Sequence, residues 1–291
     1  MWKQIYVNGS SFSDGYGLNI SEYLEVLNRY NGEYPSHKEN SKVLNNFKKK
    51  NNWPGVLESL INIPVINEAS FGGSFERVIR MSFDYIFKQK DPTETLFILE
   101  IPNCERYDLW SVAEERYKKV THIDNDILRN YDATSITQNG EVFNRKEIST
   151  IIKFYNNFGN HRLKWFDETK NLIMFCSYLK SRNIDFIIIP TEQPSYCKDY
   201  IEPDILDKEC RFIEDNLIKF SVPKEYAHAN ITNIRSTDLG YTNNLLVFYK
   251  DYHKKSFELE TNGELDDSHP SLEGCKVIAE EIYKNIQNRY L

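Results

Sequence analysis

A chain of 291 residues is long enough for one large α/β domain or two small ones. With 40% apolar residues, among them 17 Phe and 19 Tyr, it can bury a substantial core, which excludes general disorder. A net charge of -7 argues against broad electrostatic binding to nucleic acid.

The first strand is expected at QIYVNG, a short apolar run from Gln4 that breaks into Gly9, Ser10 and Ser11. Ile20, Tyr23, Leu24 and Leu27 then recur at helical spacing behind Ser21, a residue able to cap. WPGVLESLINIPVINEAS reads as a short helix from Trp53 and a second strand around Pro64 to Asn67. SFERVIRMSFDYIFKQ follows as a helix with Val78, Ile79, Phe83 and Ile86 on one side, and ETLFILEI is the third strand.

Residues 104 to about 145 carry mixed charge with only short periodic segments and are read as an irregular insertion after the third strand. A long helical stretch runs through KEISTIIKFYNNF and ETKNLIMFCSYLKSRN into DFIIIP, a fourth strand ending at Pro190. DILDKECRFIEDNLIKF is expected to be helical, and NNLLVFYK to be a strand or a buried irregular segment. The last helix follows Pro270, with Val277, Ile278, Ile282 and Ile286 facing inward.

Strands of nearly unbroken apolar character alternating with helices imply a parallel sheet covered on both faces. The expectation is a single domain over 1–291, three-layer α/β/α with a parallel, flavodoxin-like sheet. No apolar run reaches the roughly 18 to 20 residues of a membrane span, and the N-terminal segment lacks a signal-peptide pattern, so a cytoplasmic protein without membrane contact is expected. The five cysteines (Cys104, Cys176, Cys197, Cys210, Cys275) are scattered and odd in number. They are read as reduced, mostly buried thiols rather than a zinc site or a disulfide framework.

Ligands of such folds lie beyond the carboxyl ends of the strands. The first strand releases Gly9-Ser10-Ser11, the second NEASFGGSFER with Gly72-Gly73, the third Asn103, and the C-terminal region LDDSHPSLEG with Asp266 and His269. A serine hydroxyl needs a base to remove its proton, and an imidazole needs an acceptor on its other nitrogen. Asp266, three residues before His269, can reach the imidazole in a tight loop. The Ser11 amide, Gly72 or Gly73 and the Asn103 side chain can donate to a developing oxyanion.

These segments, in this order, resemble the blocks of the SGNH/GDSL hydrolases, in particular divergent forms from phage and bacterial genomes. NGSSFSDG is similar to the Gly-Asp-Ser block, FGGSFERVIR to the glycine block, and DDSHPSLEG to the Asp-x-x-His-Pro block with its helix. The resemblance implies a serine esterase with Ser11 as nucleophile, His269 and Asp266 as its partners, and an oxyanion hole of Ser11, Gly72, Gly73 and Asn103. It implies a small-molecule ester as substrate, a carbohydrate O-acetyl group being one candidate, and no cofactor or metal. Two positions depart from the pattern. Ser10 stands where the family has aspartate, and Ile101-Pro102-Asn103-Cys104 replaces Gly-x-Asn-Asp, which brings in Arg106 as a candidate pocket residue beside Ser10.

Taken singly, each feature has a plain structural reading: a strand-end turn, a helix entry, a capping aspartate. Their joint order along the expected rim favours catalysis. The alternative is a non-catalytic SGNH-like protein that keeps the rim pocket for a sugar, a nucleotide-like ligand or a protein partner. The other histidines have no second ligand at metal spacing, and NFKKKNNW reads as an exposed basic face.

Overall fold

Gln4–Asn8 (β1) is an inner strand of the sheet, buried from Ile5 to Asn8. The computed structural model describes residues 2–15, 18, 45–102, 106–121, 135–138, 141–158, 161–191, 216–218, 220–221, 241–242, 260–261, 264–265, 270 and 272–290. Within it, β1 pairs in parallel with Val65–Asn67 (β2) on one side and Thr95–Ile101 (β3) on the other. Short antiparallel hairpins, described below, account for β4 to β7. Phe186–Pro190 (β8) pairs in parallel with β3, giving the strand order β2-β1-β3-β8. This is the parallel sheet expected from the sequence.

Period-two alternation sorts the sheet residues onto two faces. Ile5, Val7, Leu96, Ile98, Ile187 and Ile189 belong to one core, together with the helices Trp53–Ile61 (α2) and Leu272–Tyr290 (α6). Tyr6, Phe97, Leu99, Ile101, Phe186 and Ile188 belong to the other, with Phe75–Lys88 (α3) and His161–Ser181 (α5). Helices on both faces make the three layers. Each buried side chain of this size contributes about 1.5–3 kcal/mol, so no single strand contact dominates.

Local chemistry sets the helix ends. The Asn52 side chain accepts from the Gly55 amide at the start of α2, and Asn62 closes that helix in the left-handed region at φ 54°. Ser74 caps α3 by accepting from the Arg77 amide, with Glu76 in the first turn and Lys88 in the last, the signs the helix dipole favours.

Two expectations are corrected. The segment from 104 to 145 is not irregular throughout: it contains the antiparallel hairpins Arg106–Ser111 (β4) with Arg116–Thr121 (β5), and Ser135–Gln138 (β6) with Glu141–Asn144 (β7). The helix Arg145–Phe158 (α4) packs with them rather than on the sheet, and Tyr107, Val120, Phe143, Ile148, Ile151 and Ile152 form a small core of their own. Burial here does not follow residue type, since Lys118 and Glu141 are buried while Trp110, Tyr117 and Val142 are exposed, and this hid the strand periodicity. The helix expected at DILDKECRFIEDNLIKF also fails at its end. Leu217 bridges Ile188 in parallel, and the Ile218 amide donates to the Ile188 carbonyl at 2.9 Å, because the free edge of β8 offers backbone partners there. Residues 204–215 and 219 of that segment, the helix expected near Ile20 and NNLLVFYK lie outside the described residues.

Cys176 and Cys275 are buried and in no disulfide, as expected, and burial pushes the Cys176 thiol up to about 12. Among the described residues no helix is long and apolar enough to cross a membrane.

Candidate functional site

The strands end together. Val7 is level with Asn67, Asn8 with Leu99, and Ile101 with Pro190, so all four chains leave the sheet at one rim. What β1 releases there is a single helical turn, Ser11–Asp14 (α1), entered through Gly9 and Ser10.

That turn is fastened from below by Glu100, the penultimate residue of β3. Glu100 is fully buried and takes the place that would continue the apolar Leu96–Ile98 row. Its Oε2 accepts from the Ser10 amide at 3.1 Å, the Ser13 amide at 2.9 Å and the Ser13 hydroxyl. Its Oε1 accepts from the Ser10 hydroxyl and, at 3.1 Å, from the Thr191 hydroxyl at the end of β8. A buried carboxyl group is costly unless its oxygens are fully used, and here five donors use them. Gly9 is required by the same contact, since a Cβ at that position would lie 2.5 Å from Glu100.

Three amide side chains complete the fastening. Asn67 and Asn52 both donate to the Ser13 carbonyl, at 2.8 and 3.3 Å. Asn8, fully buried, accepts from the Gly9 amide at 2.9 Å and from Arg77 Nη1 at 3.2 Å, while its Nδ2 donates to the Val78 carbonyl at 3.2 Å. The β1 exit is thereby tied to β2, β3, β8, α2 and α3 together.

The glycine loop packs against it. The Ser70 amide donates to the Gly9 carbonyl at 3.2 Å, and Gly73 approaches so closely that a Cβ there would meet the Gly9 and Ser70 carbonyl oxygens, both at 2.9 Å. Gly72 turns the chain with φ 69°, a conformation that favours glycine. The Gly73 amide is already donated to the Ser70 carbonyl at 2.8 Å, whereas Arg106, at the start of β4, reaches the Gly73 carbonyl with Nη1 at 3.5 Å.

Among the residues singled out in the sequence, the structure therefore gathers Ser10, the Ser11 backbone, Gly72, Gly73 and Arg106 on one rim. Ser10 is fully buried with its amide and hydroxyl both on Glu100, so it supports the turn from beneath rather than lining a pocket. Asn103, Asp266 and His269 lie outside the described residues; Pro270, next to His269, is buried just before α6. Among the described residues no group of three His, Cys, Asp or Glu side chains is placed to hold a metal ion.

Glu100, Asn8 and Thr191 were missed by sequence reasoning. A signal for Glu100 was present: one carboxylate inside the otherwise apolar or neutral run TLFILEI, near the end of a strand buried on both faces. Burial of the whole strand leaves such a residue no route to water.

Asp14, at the end of α1, is half-buried, and burial raises its carboxyl above the usual range.

No protein-family model matches the chain, and no curated protein sequence matches it. Solved structures do. A protein of the G-D-S-L lipolytic family from Desulfitobacterium hafniense DCB-2 matches over 97% of this chain and 98% of its own, at 13% identity and a TM-score of 0.39. The psychrotrophic esterase EstA from Pseudoalteromonas sp. matches over 98% and 97%, at 14% identity and a TM-score of 0.42. A phospholipase A1 from Streptomyces albidoflavus NA297 matches over 98% and 99%, at 12% identity and a TM-score of 0.39. At these scores the likeness carries nothing about the role of any residue, and the site rests on this chain's own contacts.

Proposed function

We propose that the chain is a serine hydrolase of the SGNH type acting on a small ester, with Ser11 as the nucleophile. The Ser11 hydroxyl would give its proton to His269 as its oxygen attacks the acyl carbon. The alcohol would leave carrying that proton, and water activated by His269 would then release the acid and restore the serine. Asp266 would hold the imidazole tautomer and balance the imidazolium charge. The Ser11 and Gly72 amides are the backbone donors proposed for the oxyanion, joined by the Asn103 side chain. Gly73 would serve by shaping the loop, its amide being engaged with Ser70. A carbohydrate O-acetyl group is the proposed substrate type.

One observation supports this reading above the others. The turn that begins at Ser11 is fixed by a fully buried carboxylate with five donors, far more than a surface turn needs. Catalysis by a positioned nucleophile requires that kind of rigidity, since a misplacement of about 1 Å can cost on the order of 100-fold in rate.

A fluorophosphonate probe on the purified chain tests the proposal directly. Covalent labelling that is lost in Ser11→Ala is the expected result. A chain that is folded and unlabelled would leave only ligand binding at the rim, and the esterase reading would be withdrawn.

A further inference from the structure

Beside the glycine loop, between α3 and the β4-β5 hairpin, lies a cleft of about 330 Å³. Its wall brings together four cations, Arg77, Arg80, Arg116 and Lys119, and two carboxylates, Asp108 and Glu141. These residues come from three separate stretches of chain, so their meeting is a product of the fold.

The two carboxylates are already occupied. Asp108 is bridged to Arg80, and Glu141 to Arg116 at 2.7 Å. Arg77 and Lys119 hold neutral acceptors instead. Arg77 Nη1 donates to Asn8 Oδ1 at 3.2 Å and to the Glu68 carbonyl at 2.9 Å, and Lys119 Nζ to the Ser70 hydroxyl at 3.1 Å and the Phe71 carbonyl at 2.9 Å. Among the described residues neither makes an ion pair within 4.0 Å. Both are part-buried, and burial pulls each below its ordinary value; Asp108 opposes this at Arg77, and Glu141 and Asp14 at Lys119, while the neighbouring arginines, Arg80 for Arg77 and Arg77 for Lys119, add to it. Two partly desolvated cations sharing one wall are stabilised by an anion placed between them.

The position of these two residues gives the cleft its meaning. Arg77 grips the Asn8 oxygen that also holds the Gly9 amide, and Lys119 grips Ser70, whose amide holds the Gly9 carbonyl. The cations are thus one residue removed from the turn that carries Ser10 and Ser11.

We infer that this cleft is an oxyanion-binding subsite, and that the ester taken by the rim carries a phosphate, sulfate or carboxylate group seated between Arg77 and Lys119. The substrate class rests on the proposed hydrolase reading; the anion site does not. Arg80 and Arg116, neutralised by their own carboxylates, set the walls and leave the charge excess at the end nearest the rim.

Inorganic phosphate titrated into the full chain by calorimetry tests the site without reference to turnover. Saturable binding is expected in the parent and in Ser11→Ala, weakened about tenfold or more in Lys119→Met, the loss expected for one charge-assisted contact. Lys119→Arg, which keeps the charge, should bind within about threefold of the parent. No saturable binding up to about 20 mM phosphate, a concentration that would reveal even a millimolar site, overturns the subsite, as does equal binding by the parent and a folded Lys119→Met.

A pair of esters tests the substrate class. 4-Nitrophenyl hemisuccinate should be hydrolysed with kcat/KM about tenfold or more above 4-nitrophenyl butyrate, and in Lys119→Met the ratio of the two kcat/KM values should collapse to about one, whatever the absolute rates. Phosphate binding with neither ester hydrolysed would sink the hydrolase reading alone. Equal hydrolysis of both esters without phosphate binding would sink the subsite alone.

Discussion

Ser13 donates its amide and its hydroxyl to one and the same oxygen of Glu100, Oε2, the amide at 2.9 Å. The other oxygen meets only hydroxyls, those of Ser10 and Thr191. That asymmetry decides what substitution at Glu100 does. A hydroxyl can turn and accept, whereas a backbone amide can only donate.

Glu100→Gln should therefore be tolerated. Its carbonyl oxygen can take the Oε2 place and its amide can donate to the two hydroxyls, so a loss under about 1.5 kcal/mol is expected. Glu100→Ala strands five buried donors and should cost about 3 kcal/mol or more. Denaturant unfolding of the two variants measures this. Equal losses in both would mean that charge, not hydrogen bonding, holds the turn.

The serines should separate cleanly. Ser11→Ala should abolish fluorophosphonate labelling, while Ser10→Ala should keep it and lower stability by about 1 kcal/mol, because Ser10 is buried and its hydroxyl serves Glu100. Labelling that survives in Ser11→Ala and disappears in Ser10→Ala would move the nucleophile back by one residue.

Gly73→Ala places a methyl group 2.9 Å from two backbone oxygens, and backbone cannot swing aside as a side-chain tip can. The loop must shift, at a cost of about 1–3 kcal/mol, and turnover should fall more steeply than stability implies. Activity measured well below the melting temperature separates the two effects. Unchanged kcat would show that the glycine loop plays no part in positioning the rim.

Glu168 on α5 supplies a pH dependence. Burial raises its carboxyl from 4.5 to about 8, with Lys164 as the chief opposing influence and Glu76 reinforcing the rise. Lys164 Nζ lies 3.5 Å from Oε1, but that oxygen has no aligned hydrogen bond. The folded chain keeps a proton here that the unfolded chain gives up above about 4.5. The stability this confers is complete below 4.5 and is lost as the pH climbs from there through about 8. Melting temperatures taken from pH 5 to 9 should fall across this window, and Glu168→Gln should flatten the fall. A parallel decline in the variant would assign it to other groups.

The sheet was legible because its strands are buried on both faces. IYV, TLFILEI and FIIIP are apolar without needing any partner to reveal it, and Ser74 and Pro270 mark helix starts by local chemistry alone. The order Ser11, Gly72-Gly73, Asn103, Asp266 and His269 was likewise visible, and with it the candidate chemistry. The β4-β5 hairpin was not. Its burial does not follow residue type, since Lys118 and Ser111 are buried while Trp110 and Tyr117 are exposed, the β6-β7 strands are only four residues long, and the small core they share with α4 forms only after distant segments meet. For the same reason no local pattern could show that Glu100 would collect Ser10, Ser13 and Thr191, or that Arg77 and Lys119 would share a wall. Those placements depend on parallel pairing between segments about 90 residues apart and on a hairpin folding back over α3. Periodicity is a property of one segment; electrostatic neighbourhood belongs to the packed molecule, and only the tertiary structure decides it.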